Sequence, residues 1–392
     1  MEQSGQWNSR EVETVFVTFL SFFMNVAVRF FIPSILPLLI VLQGLSRFMA
    51  GLLITSYWIG YALIQLPAGI IADKIGSGNL AKISFLGFSA VFSLLYFTLH
   101  SFMAMSAIQF ALGVFSGMIY ISDASLIQRQ VHHSRRTTGI GLYQSGFFVA
   151  STVGFVLVIT LVRIGLYLPF MLYSAMLFAV SVLNLVFIRT TKEPARREKI
   201  LLRLGRKLVL TGIIRFAASI SFIGFAGWIA VFLVDSGVPY YETFYYSWFL
   251  FVGGIVGSPL SGVITDRFAK RKFEIAFTGS LFIGISLVAL TFLQNIIFMI
   301  PAFISMGFLY GFYAAPSITI ASDVSHDNRE VGSSTGFLNL TSQVGATISP
   351  FLIGLISDLT GNLRLSFEVV GFISILSLMI ALPFYRREKE TI

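Results

Sequence analysis

Long apolar runs separated by short charged turns dominate this sequence. Twelve of them, at about 12–41, 48–72, 80–99, 102–126, 139–161, 165–188, 208–234, 244–264, 273–293, 296–321, 331–356 and 365–384, reach or exceed the roughly 20 residues with which a helix crosses a bilayer. Only 11% of the 392 residues are charged, against about 25% in a soluble domain. The shortfall extends over the whole length, so too little polar surface is left to face water and lipid is the expected solvent. Phe contributes 41 residues, which suits a surface packed against acyl chains. The runs contain Pro33, Pro37, Pro67, Pro259, Pro316 and Pro350, which membrane helices tolerate better than soluble ones. The alternating segments of about 10 residues that mark a transmembrane β-barrel are absent. The expectation is an all-α membrane protein with twelve transmembrane helices. The polar start of the chain lacks a basic segment and a cleavage site, so the first helix is expected to be retained.

The basic residues give these helices a direction. With the amino terminus inside, 22 Lys and Arg fall on inner segments and three (Arg47, Arg163, Arg364) on outer ones; Arg29 and Arg215 lie within runs. Such asymmetry is the positive-inside signal. It places both termini and the basic linker in the cytoplasm of a multi-pass cell-membrane protein. It also accounts for the net charge of +9 without a nucleic-acid partner.

The chain repeats itself. Gly69-Ile-Ile-Ala-Asp73-Lys74-Ile-Gly76 closes the second run, and Gly262-Val-Ile-Thr-Asp266-Arg267 closes the eighth, at an offset of 193 that also carries Gly60 onto Gly253. A second echo, at an offset of 195, relates Gly141-Leu-Tyr-Gln144 to Gly336-Phe-Leu-Asn339. Two pseudo-symmetric six-helix bundles are therefore expected, 1–189 and 208–392, joined by a linker at 190–207. Gly69 and Gly262 read as small residues that let neighbouring helices approach closely. Asp73 sits at the rim, where it can pair with a basic side chain or the positive end of a helix.

This arrangement, with a charged turn after the second and eighth helices, resembles the major facilitator superfamily over nearly the whole chain. The resemblance implies a transporter with a cavity between two bundles, working by alternating access. It also implies that the turns holding Gly69, Asp73, Lys74, Gly76, Gly262, Asp266 and Arg267 act as latches on the cytoplasmic side. Ser77 and Gly78 replace the basic pair usual in the first copy, and Ala269 replaces a Gly in the second.

A charge inside a membrane is a functional candidate by default. Arg29 lies 17 residues beyond Val12, about 25 Å along a helix, and Asn25 precedes it by one turn on the same face. A structural reading, in which Arg29 snorkels or caps carbonyls freed by Pro33, is weighed and set second. Arg215 either lines an inner vestibule or snorkels to the interface. The 18 acidic residues fall at termini, loops or run ends, so no mid-membrane carboxylate awaits a cation. A guanidinium instead suits carboxylate or phosphate through bidentate bonds. Within the superfamily the chain is similar to anion:cation symporters, through Arg29 in the first helix and Gly336, Asn339 and Gly345-Ala-Thr-Ile-Ser-Pro350 in the eleventh. That likeness implies a small organic anion as substrate and a proton as coupling ion. The acid often found beside such an arginine is here Val28. Asp123 and Asp323 are candidate proton carriers, although simple ion pairing with Arg129 and Arg329 is the preferred reading. Tyr57 and Tyr61 share a face of the second run, Asn339 and Gln343 share a face of the eleventh, and Gln144 is the counterpart of Asn339; these are candidate substrate contacts.

Enzyme readings fail on inventory. There is no cysteine, no phosphate loop and no His-Glu-x-x-His metal motif, so no cofactor or metal is expected. The expected partners are a small molecule, protons and the bilayer, with the protein a monomer. One alternative is an exporter of hydrophobic compounds, against which the Gly-Pro signature of superfamily exporters is missing from 146–154. Another is a membrane sensor that binds without transport.

Overall fold

The computed structural model of the chain describes residues 7–132, 136–190, 204–324 and 328–389. Among them the regular structure is helical: α1 (Ser9–Arg29), α2 (Phe31–Gln43), α3 (Arg47–Ile75), α4 (Ser77–Leu94), α5 (Phe102–Gln130), α6 (Arg136–Ile164), α7 (Tyr167–Phe187), α8 (Arg206–Asp235), α9 (Phe244–Ser247), α10 (Phe249–Arg267), α11 (Lys272–Thr291), α12 (Ile296–Val324), α13 (Asn328–Thr360) and α14 (Leu363–Lys389). They form twelve spans long and apolar enough to cross a membrane, α1 with α2 making the first (Ser9–Gln43) and α9 with α10 the eighth (Tyr240–Thr265). The expected all-α, twelve-helix architecture is the one found. Most of the linker expected at 190–207 lies outside the described residues.

Contacts gather the chain into two compact units, Met1–Phe31 with Ile59–Arg196 and Ile32–Trp58 with Arg197–Ile392. In the first, α1 packs against α5, α6 and α7, while α4 packs against α5 and α7. Its centre is aromatic: Phe31 meets Phe170, Phe92 and Tyr173 at ring separations of 4.7, 5.0 and 5.1 Å. Polar ties close the seams, with Asn184 donating to Ser21 Oγ at 2.8 Å and Ser89 bonded to Ser181 at 2.7 Å. In lipid such bonds replace the hydrophobic drive that holds soluble helices together. The start of α1 is fixed twice. Asn8 and Glu11 form a capping box, and the other Glu11 oxygen accepts the His132 N–H at 2.8 Å, just past the end of α5.

In the second unit α8 is almost wholly buried, as a helix apolar all round should be. It packs against α11, α12, α13 and α14. Phe222 stacks on Tyr310 at 3.9 Å. The second half of the first span and the first half of the second also belong here: Phe48 meets Phe351 at 5.4 Å, and Thr55 donates to the Thr347 carbonyl at 3.0 Å.

The glycines of the repeat divide by role. Gly69 and Gly262 do not make the close approach expected of them, since a Cβ at either position would meet nothing within 4 Å. The close approach occurs nine residues earlier, at Gly60 and Gly253. A Cβ there would strike the carbonyl oxygens of Phe110 and Ile304 respectively. Gly76 has φ 87° between α3 and α4, a left-handed conformation that costs glycine little, so its place in the motif is the turn itself.

Candidate functional site

The first span breaks where its arginine stands. α1 ends at Arg29 and α2 starts at Phe31. Pro33 has no N–H for the carbonyl four residues back, and that carbonyl is Arg29's own. The break leaves Arg29 half-buried with its guanidinium carbon 5.1 Å from the ring centre of Tyr61. This is cation–π range.

Helix packing assembles aromatic rings around that point. Gly117 of α5 lets α3 come close: its missing Cβ would lie 3.0 Å from the Tyr61 carbonyl oxygen. One turn on, Tyr120 faces Tyr61 at 6.5 Å and Tyr143 of α6 at 6.3 Å. Phe22 of α1 closes the group, 4.3 Å from Tyr143 and 6.2 Å from Tyr120. Tyr143 is only 1% exposed, and its hydroxyl makes no hydrogen bond among the described residues. It lies within electrostatic range of Arg29, Tyr61, Tyr120 and Asp123.

Asp123 follows Tyr120 by three residues on α5 and is 1% exposed. Neither of its carboxylate oxygens has a hydrogen-bond partner among the described residues. The ion pair expected with Arg129 does not form. Arg129 lies six residues further along, which on a helix of 3.6 residues per turn is a different face. It reaches instead to Asp73, at 3.1 Å. Asp323 likewise pairs with Lys272 at 2.8 Å; the Arg329 side chain lies outside the described residues, as does that of Asp266.

Other candidates are occupied by one another. Asn25 donates to the Ser116 carbonyl at 3.1 Å and accepts from Ser116 Oγ at 2.5 Å, which ties α1 to α5. Gln144 donates to the Tyr120 hydroxyl at 3.4 Å, so it joins the ring cluster from α6. In the second unit, Arg215 neither lines a vestibule nor snorkels. It is 6% exposed and donates to the Leu338 carbonyl, Ser317 Oγ and Asn339 Oδ1 at 2.9, 2.8 and 3.1 Å. Asn339 is thus engaged by Arg215. The Gln343 side-chain oxygen is buried without a hydrogen bond among the described residues. Tyr57 is buried, its ring 5.8 Å from Trp58, and it belongs to the second unit while Tyr61 belongs to the first. Lys74 and Arg267 are exposed.

Two groups escaped sequence reasoning. Tyr120 and Tyr143 had a signal: one precedes Asp123 by a turn and the other adjoins Gln144. Sequence periodicity places a residue on a face but does not say which helix that face meets. The second group is at the far end of α3. There Arg47 pairs with Asp235 at 2.6 Å and donates to Ser357 Oγ at 3.0 Å. Asp358 accepts the backbone N–H groups of Arg47 and Phe48 at 2.9 and 2.8 Å, capping the helix. Opposite charges at the ends of different runs were its only trace.

Comparison with known proteins fits this architecture. The chain is 26% identical over 356 residues to the cis,cis-muconate transport protein of Acinetobacter baylyi, covering 84% of this chain and 83% of that one. It is 23% identical to the hexuronate transporter of Bacillus subtilis, with 87% of each chain covered. A solved bacterial homolog of the human lysosomal transporter Spinster, in an inward-facing and occupied conformation, superposes with a TM-score of 0.79 over 99% of this chain and 98% of that one. At 16% identity that likeness is one of fold. A sequence model of the Major Facilitator Superfamily matches residues 18–329 and 244–392. With twelve spans, an internal repeat and these relatives, the chain belongs to the Major Facilitator Superfamily.

Proposed function

We propose that this transporter carries a small organic carboxylate across the cell membrane by alternating access, driven by protons. The observation that carries the reading is the placement of Arg29 at the break of the first span, over Tyr61 in a cluster with Tyr120 and Tyr143, with the buried Asp123 one helical turn beyond Tyr120. Arg29 anchors the carboxylate through paired N–H donors. Asp123 takes up and releases the coupling proton, because an ionised carboxylate without a partner is costly to bury and a protonated one much less so. Asp73 and Asp266 serve the cytoplasmic rim as latches, with both termini on that side. The names of the relatives support the substrate class: muconate and hexuronate are both organic acids.

The test is a thermal-shift screen of the purified protein against organic acids, sugars and lipophilic cations, followed by uptake into proteoliposomes. A ligand that binds the folded state raises its apparent stability. A carboxylate is expected to stabilise the protein, and Arg29→Lys to lower its affinity about tenfold or more despite the retained charge. Asp123→Asn is expected to bind the same acid but to lose accumulation driven by a pH gradient. Stabilisation by lipophilic compounds alone, indifferent to Arg29, would replace this reading with an exporter of hydrophobic compounds.

A further inference from the structure

Resting on that reading, we infer that the substrate is a flat, conjugated or aromatic carboxylate rather than a polyhydroxylated sugar acid, and that Tyr120 and Tyr143 select it. Arg29 stands at the edge of a cluster of rings. Tyr61 lies under the guanidinium, Tyr120 and Tyr143 follow within 6.5 Å of their neighbours, and Phe22 backs both. Rings offer a planar π-system offset or edge-on stacking. A saturated polyol has no π-system to stack on them.

A sugar acid gives up water at every hydroxyl and needs a replacement partner for each. Two polar side chains beside the rings are already engaged. The Asn25 amide is taken by Ser116, and Gln144 donates to Tyr120. The Tyr143 hydroxyl is different: it is buried, makes no hydrogen bond among the described residues and lies within electrostatic range of Arg29. A single donor within the ring cluster that begins under Arg29 fits a carboxylate oxygen, not a chain of hydroxyls. Tyr120 is half-buried, so its ring is the one a ligand reaches.

The experiment measures binding to the purified full chain by calorimetry, at fixed pH, for three probes. They are a conjugated six-carbon dienedioate, the saturated six-carbon dicarboxylate of equal charge, and a six-carbon polyhydroxy monocarboxylate. The first is expected to bind at least about tenfold more tightly than either of the others, a difference of about 1.4 kcal/mol. Tyr120→Leu should collapse the preference for the diene over its saturated counterpart. Tyr143→Phe, which keeps the ring, should weaken both dicarboxylates alike. Equal or reversed affinities in the wild type, with Arg29→Lys still weakening all three, would overturn the inference while leaving the carboxylate carrier standing. Binding of none of the three acids would overturn the inference, and the carrier reading falls with it only if no other carboxylate stabilises the protein in the thermal-shift screen. The wild-type ratio decides the question even if a variant fails to fold.

Discussion

Arg215 directs three nitrogens at acceptors on α12 and α13, namely Ser317 Oγ, the Leu338 carbonyl and Asn339 Oδ1. Hydrogen bonds from a charged donor are worth about 1.5–3 kcal/mol each, and a buried acceptor left without its donor carries a penalty of similar size. Arg215→Met fills the space and removes all three bonds. It is expected to cost on the order of 3 kcal/mol, seen as a clear fall in melting temperature, with little change in the affinity of whatever ligand Arg29 binds. A fall in affinity matching that of Arg29→Lys would give Arg215 a place in the site instead. Both arginines stand out in the sequence, because a guanidinium inside an apolar run is rare whatever its purpose. Their different employment was not legible, since the acceptors of Arg215 lie more than 100 positions away. Asp123 shows the same limit. Its nearest basic neighbour along the chain, Arg129, points to another face and serves Asp73.

Helix pairs in both units meet backbone to backbone at glycines. On α10 and α12, a Cβ at Gly253 or Gly257 would strike the carbonyl of Ile304 or Phe308, and one at Gly307 would strike that of Leu250. No rotamer can relieve a clash with a carbonyl oxygen. Gly307→Ala is therefore expected to cost about 1–3 kcal/mol, the usual range for overpacking. Gly262→Ala, with nothing within 4 Å of its Cβ, should be neutral or stabilising by up to about 1 kcal/mol, because alanine is the better helix former. Thermal unfolding of the two variants in one detergent checks the pair, and equal shifts would sink the distinction. The repeat made both Gly60/Gly253 and Gly69/Gly262 visible in the sequence. It could not say which pair touches, because an offset records equivalence and not proximity.

For the whole molecule, the sequence shows the twelve spans clearly, since span length follows from bilayer thickness and needs no knowledge of neighbours. It does not show that Ile32–Trp58 gathers with Arg197–Ile392, a grouping that depends on which helix ends touch. Arg47 and Asp358 are part of that tie. Removing the cap with Asp358→Ala should cost about 1 kcal/mol, and Asp358→Asn, whose single amide oxygen can accept only one of the two N–H groups, should recover only part of it. Thermal unfolding that shows no loss in Asp358→Ala would remove the cap from the tie. The Arg47–Asp235 pair remains partly open to water, with side chains 27% and 34% exposed, whereas Arg215, Ser317 and Leu338 are dry and Asn339 is half-buried. Dissolved ions reach the first and not the second. Between about 0.01 M and 1 M salt the Debye length falls from about 30 Å to about 3 Å. The Coulombic part of the Arg47 tie fades over that range while the Arg215 network keeps its strength. Ionic strength thus becomes a solvent-side control that loosens one end of the second unit and leaves its interior untouched.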